Sequence, residues 1–213
     1  MIAKDLTTRA ARLVAKLQEL YPNADCELRH ADALQLLVAT ILSAQCTDQR
    51  VNTVTPALFA KYKTAADFAK ADTAELEALV HSTGFFRNKA KAIVGLARAL
   101  VDQHGGEVPD TMDALVVLPG VGRKTANVVL SVWFHQPSIP VDTHVQRLAA
   151  RLELTKETDP VRIERALQKV FATDDWSFAA TALIWHGRRV CLARNPQCAA
   201  CALAADCPFP KHR

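Results

Sequence analysis

The sequence is short of several things, and each shortage excludes something. Only 7 glycines occur in 213 residues, too few for collagen-like order, and a chain that is 50% hydrophobic is not composed like a disordered one. Long hydrophobic runs are missing. The two longest nearly uncharged apolar stretches, Leu34 to Ala44 and Thr125 to Phe134, fall well short of the roughly 18 residues that a membrane span needs. The start, Met1-Ile2-Ala3-Lys4-Asp5, has no apolar secretory core. A cytoplasmic, reducing setting with no membrane partner is therefore expected. Strand-like alternation, internal repeats and low-complexity linkers are also missing. Charge of one sign is not in excess either: 26 Lys and Arg face 22 Asp and Glu, and the net +4 does not by itself suggest a nucleic-acid partner. At this length about 70% of the unfolded chain's surface can be buried, so a core needs no disulfides.

What is present is helical periodicity almost throughout. Ala10, Leu13, Val14, Leu17 and Leu20 share one face; Ala90, Ile93, Val94, Ala97, Leu100 and Val101 share another; Ile163, Ala166, Leu167, Val170 and Phe171 a third. Asp72 followed by Glu75 resembles a capping box, Gly105 and Gly106 close a long helical run, and Pro22, Pro56, Pro109, Pro137, Pro140 and Pro160 fall near predicted breaks. The pattern predicts an all-α chain of about ten short helices. Leu34 to Ala44 and Thr125 to Phe134, apolar on nearly every face, are expected at the centre of the packing.

Six cysteines are the unusual feature of the composition, and four of them, Cys191, Cys198, Cys201 and Cys207, lie within seventeen residues. In a reducing compartment such a group reads as a metal or cluster site rather than as disulfides. Spacing alone leaves zinc and iron–sulfur open, since one Cys-x2-Cys knuckle stands between gaps of six and five. Cys26 and Cys46 read as packing residues.

The most informative stretch is Leu118-Pro119-Gly120-Val121-Gly122-Arg123-Lys124-Thr125-Ala126. Pro119 disfavours helix at Leu118. Gly120 and Gly122 can take positive φ and expose backbone N–H groups as a small anion nest, and a second helix starting near Arg123 would point its unpaired N–H groups at the same spot. This suits a phosphate, with an ordinary helix–turn–helix corner as the alternative. Lys124 stands in the first turn of that helix, the end that disfavours cations. Its placement invites a nucleophilic amine as the explanation, against a solvated or phosphate-contacting lysine as the bland one. Asp142, in Pro140-Val141-Asp142-Thr143-His144, reads as an N-cap or as a carboxylate working with Lys124.

These segments, taken with the cysteine spacing, Leu42-Ser43-Ala44-Gln45-Cys46-Thr47-Asp48, and Ser82-Thr83-Gly84-Phe85 ahead of Asn88-Lys89-Ala90, closely resemble endonuclease III, a family of base-excision DNA glycosylases with lyase activity. The resemblance covers essentially the whole chain. It implies a two-lobed helix-hairpin-helix DNA glycosylase fold, with a six-helix barrel at 25–135 and a cluster-containing helical domain joining 1–24 to 136–213. It implies Lys124 as nucleophile, Asp142 as catalytic carboxylate, and Cys191, Cys198, Cys201 and Cys207 as ligands of a [4Fe-4S] cluster. Gly120, Gly122 and Arg123 then meet DNA, while Gln45 and Phe85 fill the gap left by an extruded nucleotide; a helix-capping or loop role for Gln45 and core packing beside Phe86 for Phe85 are the alternatives. Phe85 departs from the aliphatic wedge common in the family. Asp48 and His144 take positions near the active site, and Lys89 and Arg87 are candidates for phosphate contact, with a solvated helix start as the alternative.

The implied function is excision of oxidised pyrimidines from damaged double-stranded DNA by a monomer associated with the nucleoid. A basic surface around Arg188, Arg189, Arg194, Lys211 and Arg213 would assist. Alternatives of the same fold are pyrimidine-dimer, thymine-mismatch and adenine-mismatch glycosylases. The last is disfavoured by Lys124 and by the expectation that no recognition domain follows Cys207. From another class comes a non-catalytic DNA-binding module with a zinc site.

Overall fold

The computed structural model of the chain describes residues 3–209, with side chains from residue 5 onward. Lys211 and Arg213 of the expected basic tail lie outside the described residues. These comprise eleven α-helices and four 3-10 turns, with no strand. The helices are α1 (Ala3–Leu20), α2 (Ala33–Leu42), α3 (Asp48–Lys61), α4 (Ala65–Ala69), α5 (Thr73–Val80), α6 (Phe86–His104), α7 (Met112–Val116), α8 (Arg123–Val132), α9 (Thr143–Arg151), α10 (Pro160–Val170) and α11 (Trp176–Arg189). None is long and apolar enough to cross a membrane. The chain divides into two compact units, Cys26–His135 and a discontinuous one joining Met1–Asp25 to Gln136–Arg213.

In the Cys26–His135 unit the uniformly apolar α2 is central. Every residue from Leu36 to Leu42 is buried, and the hydroxyl of Thr40 is satisfied by donating to Leu36 O at 2.8 Å. Asp32 caps this helix by accepting from Gln35 N at 2.7 Å. α2 packs on α3, α6 and α8, while α6 lies along α4 and α5. Within the predicted stripe of α6, Ile93, Ala97 and Leu100 are buried but Val101 sits at its exposed edge. The capping box forms at Thr64 and Asp67, where each side chain accepts from the other's backbone. At Asp72 only half of the expected box forms: Asp72 accepts from Glu75 N, but the Glu75 carboxylate turns away to Lys61. Pro56 was expected at a break and instead lies inside α3. The buried face of Val51, Val54, Thr55 and Leu58 holds that helix together and outweighs the roughly 3 kcal/mol that a proline costs a helix interior.

The other unit gathers α1, α9, α10 and α11 around Leu13, Leu17, Val145, Leu148, Ile163, Leu167 and Leu183. Leu20, at the end of the α1 stripe, stays 40% exposed. Pro160 opens α10 in the first turn, where its missing N–H costs nothing. α9 ends in a Schellman motif without glycine: Glu153 takes φ +48, Leu154 N reaches Ala149 O at 2.8 Å, and Glu153 N reaches Ala150 O at 3.0 Å. Burial of Leu154 at the following position supports that strained residue. Arg9 of α1 is buried and donates to the carbonyls of Leu152, Asp206 and Glu153 at 2.7, 3.0 and 3.2 Å. It ties α1 to the end of α9 and to the C-terminal loop.

Truncation of the fully buried Leu36 to alanine is expected to destabilise the protein by about 2–5 kcal/mol. Chemical denaturation checks this, and a change below about 0.5 kcal/mol would contradict a central role for α2.

Candidate nucleic-acid interface and cysteine centre

In the Cys26–His135 unit, α7 and α8 are joined by the turn Leu118–Gly122, as the Pro-Gly-x-Gly pattern predicts. Gly120 takes φ +77, and a Cβ there would also stand 2.8 Å from the Cβ of Ala92 on α6. Both the conformation and the space require glycine at this position. Gly122 differs from expectation: its φ is −89 and ψ 171, because it is the N-cap of α8 and N-caps adopt extended backbone. It makes no side-chain cap hydrogen bond, and a Cβ on it would meet nothing within 4 Å. No side chain caps the leading N–H groups of α8, as an anion site requires. Arg123 is half-buried at the start of α8. Lys124 beside it is exposed, and its amine makes no hydrogen bond or ion pair among the described residues.

Two loop tips flank this hairpin. Gln45, between α2 and α3, has φ +53; Phe85, just before α6, has φ +48. A left-handed non-glycine residue costs about 1–2 kcal/mol, so two of them at loop tips are deliberate features. Phe85 is 63% exposed. Core packing falls instead to Phe86, whose ring lies 4.5 Å from that of His81. Gln45, Phe85, Lys89, Gly120 and Thr125 line one recess of about 250 Å³ together with Ile41 of α2 and Ala44 of the first loop.

Lys89 is a correction to the phosphate-contact expectation. It is 5% exposed, and its ammonium donates to Leu42 O at 2.7 Å and Thr83 O at 2.8 Å. Burial pushes it below the ordinary lysine value. The reason lies in the helical register, since Lys89 shares the inward face of α6 with Ile93, Leu96 and Leu100. Arg87 remains on the outer face, near Glu77.

In the other unit Asp142 caps α9. Its Oδ1 accepts from His144 N and Val145 N, both at 2.8 Å, and Oδ2 takes no hydrogen bond among the described residues. Nδ1 of His144 is paired with Arg147 Nη2 at 3.1 Å, and burial pushes this imidazole below its usual value while Asp142 pulls the other way. The ring is packed against Gly187 so closely that a Cβ there would come within 3.0 Å of it.

The four clustered cysteines line a single cavity with Leu148, Leu152, Val190, Leu203 and Phe209. No three His, Cys, Asp or Glu side chains among the described residues are close enough to hold one metal ion, yet all four thiols share this cavity. None is in a disulfide. Burial pushes the thiols of Cys201 and Cys207 up, and the neighbouring cysteines push in the same direction. Four thiolates in such surroundings call for a cationic group among them. Two arginines of α9 hold the loop's start. Arg147 donates to Cys191 O and Gly187 O; Arg151 donates to Cys191 Sγ at 3.2 Å and to the carbonyls of Leu192 and Ala193. At its far end Asp206 is bridged by Arg12 at 2.6 Å. His186, buried and pushed down to about 4, lies between Tyr21 OH at 3.0 Å and Cys201 Sγ at 3.4 Å.

The family model of HhH-GPD superfamily base excision DNA repair proteins matches residues 38–173, a span that includes the hairpin, both loop tips and Asp142. The chain belongs to this superfamily. It is 55% identical to Endonuclease III of Synechocystis sp. over 94% of this chain and 92% of that protein. To Endonuclease III of Bacillus subtilis it is 47% identical over 90% and 88%. A solved trapped Endonuclease III–DNA covalent intermediate has a TM-score of 0.93 at 42% identity, covering 97% of this chain and 98% of that one. A thermostable thymine-DNA glycosylase has a TM-score of 0.86 at 22% identity over 97% and 98%, which speaks for the fold alone.

In this HhH-GPD protein the cysteine loop lies beyond the span that the family model matches. Several of the side chains that shape the two regions carry no pattern in the sequence, among them Arg9, Arg147 and Arg151, whose acceptors lie on distant loops. Lys89 does carry one, being a lysine on an otherwise apolar helix face. Gly120→Ala is expected to cost about 1–3 kcal/mol through its backbone strain and its clash with Ala92. Unchanged denaturation midpoints in this variant would contradict the tight seat of the turn.

Proposed function

We propose that the protein is a base-excision DNA glycosylase and AP lyase that removes oxidised pyrimidines from damaged double-stranded DNA, acting as a monomer. The observation that carries this is the unpartnered amine of Lys124, exposed in the first turn of α8 beside uncapped helix N–H groups. In this reading residues 25–135 are the six-helix barrel, and residues 1–24 with 136–213 are the domain of the cysteine cluster. The trapped covalent complex of a 42% identical Endonuclease III supports a covalent step.

DNA phosphates dock on the N–H groups of the hairpin and the start of α8, with Arg123 adding charge. Damage weakens pairing and stacking, so the modified nucleotide is extruded cheaply, and Gln45 and Phe85 occupy the gap. The free amine of Lys124 forms a bond to C1′ as the glycosidic bond breaks and the base leaves with that electron pair. The sugar carries positive charge in this step, which a carboxylate stabilises. Asp142 suits the task because its backbone contacts use Oδ1 and leave Oδ2 open. The C1′–O4′ bond then breaks as a proton passes from the Lys124 nitrogen to O4′, leaving an iminium between Lys124 and C1′. The iminium acidifies C2′–H; loss of that proton breaks the C3′–O bond and expels the 3′ phosphate. Water then releases Lys124.

Cys191, Cys198, Cys201 and Cys207 would hold a [4Fe-4S] cluster. The cluster supplies positive charge to offset four thiolates and a cross-link that fixes the C-terminal loop. Support comes from the shared cavity and from Arg151 donating to Cys191 Sγ.

Two outcomes are expected. Lys124→Gln abolishes both strand cleavage at an abasic site and the borohydride-trapped adduct while duplex binding is kept; a variant that still forms the adduct would overturn the assignment. Cys198→Ala loses the visible absorption of the cluster, melts lower and binds DNA more weakly, with the chemical step of the bound fraction little changed. A stable variant that binds normally and performs no chemistry would contradict a structural cluster.

A further inference from the structure

Lys89 is the only buried lysine among the described residues, and neither Asp nor Glu pairs with it. Two carbonyls are a poor exchange for water around an ammonium group, and an apolar side chain of similar length would fill the same space at less cost. Stability of the fold alone therefore does not account for a lysine here. The places it reaches do. Leu42 is the last residue of α2, and Thr83 the last of a 3-10 turn, so the ammonium satisfies two helix-end carbonyls at once. Beyond Leu42 the chain enters the loop that carries Gln45; beyond Thr83 it passes through Gly84 to Phe85. Both tip residues have positive φ, a strained conformation that persists only where the surroundings over-determine it. Lys89 itself stands in the first turn of α6, four residues after Phe85, with its N–H bonded to Phe85 O at 3.1 Å. One side chain thus references both tips to the helix that also seats the hairpin turn at Ala92.

We infer that Lys89 is a positioning residue that holds the carbonyls of Leu42 and Thr83 together, fixing Gln45 and Phe85 relative to one another and so setting the efficiency of nucleotide extrusion. The inference rests on the glycosylase reading, which gives those two residues their place in the DNA. Lys89 touches neither the sugar nor the base, and the covalent step at Lys124 does not involve it.

Two duplexes containing the same oxidised pyrimidine separate the possibilities. In one the lesion is fully paired; in the other it faces an abasic analogue, so that little pairing has to be broken. In Lys89→Met, single-turnover excision of the paired lesion is expected to fall about 10- to 100-fold, as misplacement by about an ångström does elsewhere. Excision of the unpaired lesion should stay near the wild-type rate. In a Phe85→Ala background the same substitution should add little, because the two act through one step. Equal loss on both duplexes, no loss on either, or additive loss with Phe85→Ala would overturn the inference. Should Lys89→Met not fold, Lys89→Gln, whose amide can serve only one of the two carbonyls well, is compared on the same duplexes with the same criteria. A wild-type protein that excises neither lesion would remove the glycosylase reading itself, and this inference with it.

Discussion

α6 passes so close to the hairpin turn that position 120 admits no side chain, and Gly95, farther along the same helix, leaves only 3.2 Å between a would-be Cβ and Pro119. From that contact the rest of the Cys26–His135 unit takes its reference. The turn places the start of α8, hence the uncapped amides and Lys124. The N-terminal end of the same helix follows Phe85 and, through Lys89, gathers the end of α2 and the loop with Gln45. The apolar α2, buried along seven successive residues, supplies the rigid floor against which these parts are held. Packed interiors are close to incompressible, so a shift of α6 would be felt at the hairpin and at both tips together.

The discontinuous unit depends in the same way on α9. Its N-terminus is capped by Asp142, and its later turns send Arg147 and Arg151 to the backbone around Cys191. The carboxylate and the cysteine loop are therefore carried by one short helix, with Gly187 on α11 allowing the close approach of His144 and Arg147. Arg9 and Arg12 of α1 fasten the other end of the loop near Asp206. Guanidinium groups suit this work, because a planar fork of donors can satisfy several carbonyls from a single position.

Much of this was legible in the amino-acid order. Periodicity gave the all-helical class, and Leu36 to Leu42 within the apolar Leu34 to Ala44 stretch form the buried centre. The hairpin could be read from Pro119 and Gly120, because each has a conformational preference that acts locally. Local reading failed where tertiary burial overrides propensity or where contacts are distant in sequence. Pro56 was placed at a break although a buried face keeps α3 intact around it. Gly122 was read as able to take positive φ like Gly120, and as the N-cap of α8 it has extended backbone instead. Glu75 looked committed to a capping box with Asp72 and was drawn away by Lys61, which lies 14 positions before it in the chain and so outside a short window. Lys89 was read as a candidate phosphate contact, with a solvated helix start as the alternative; its neighbours along the helix face, Ile93 and Leu96, are buried and apolar, and draw it inward.

In the proposed reaction Lys124 is the amine that bonds to C1′. The most direct test is to reduce the wild-type protein with borohydride on a duplex containing an oxidised pyrimidine, digest the adduct, and identify the modified peptide by mass spectrometry. A sugar remnant on Lys124 alone is expected. A remnant on another lysine or on the N-terminal amine, with Lys124 unmodified, would contradict it.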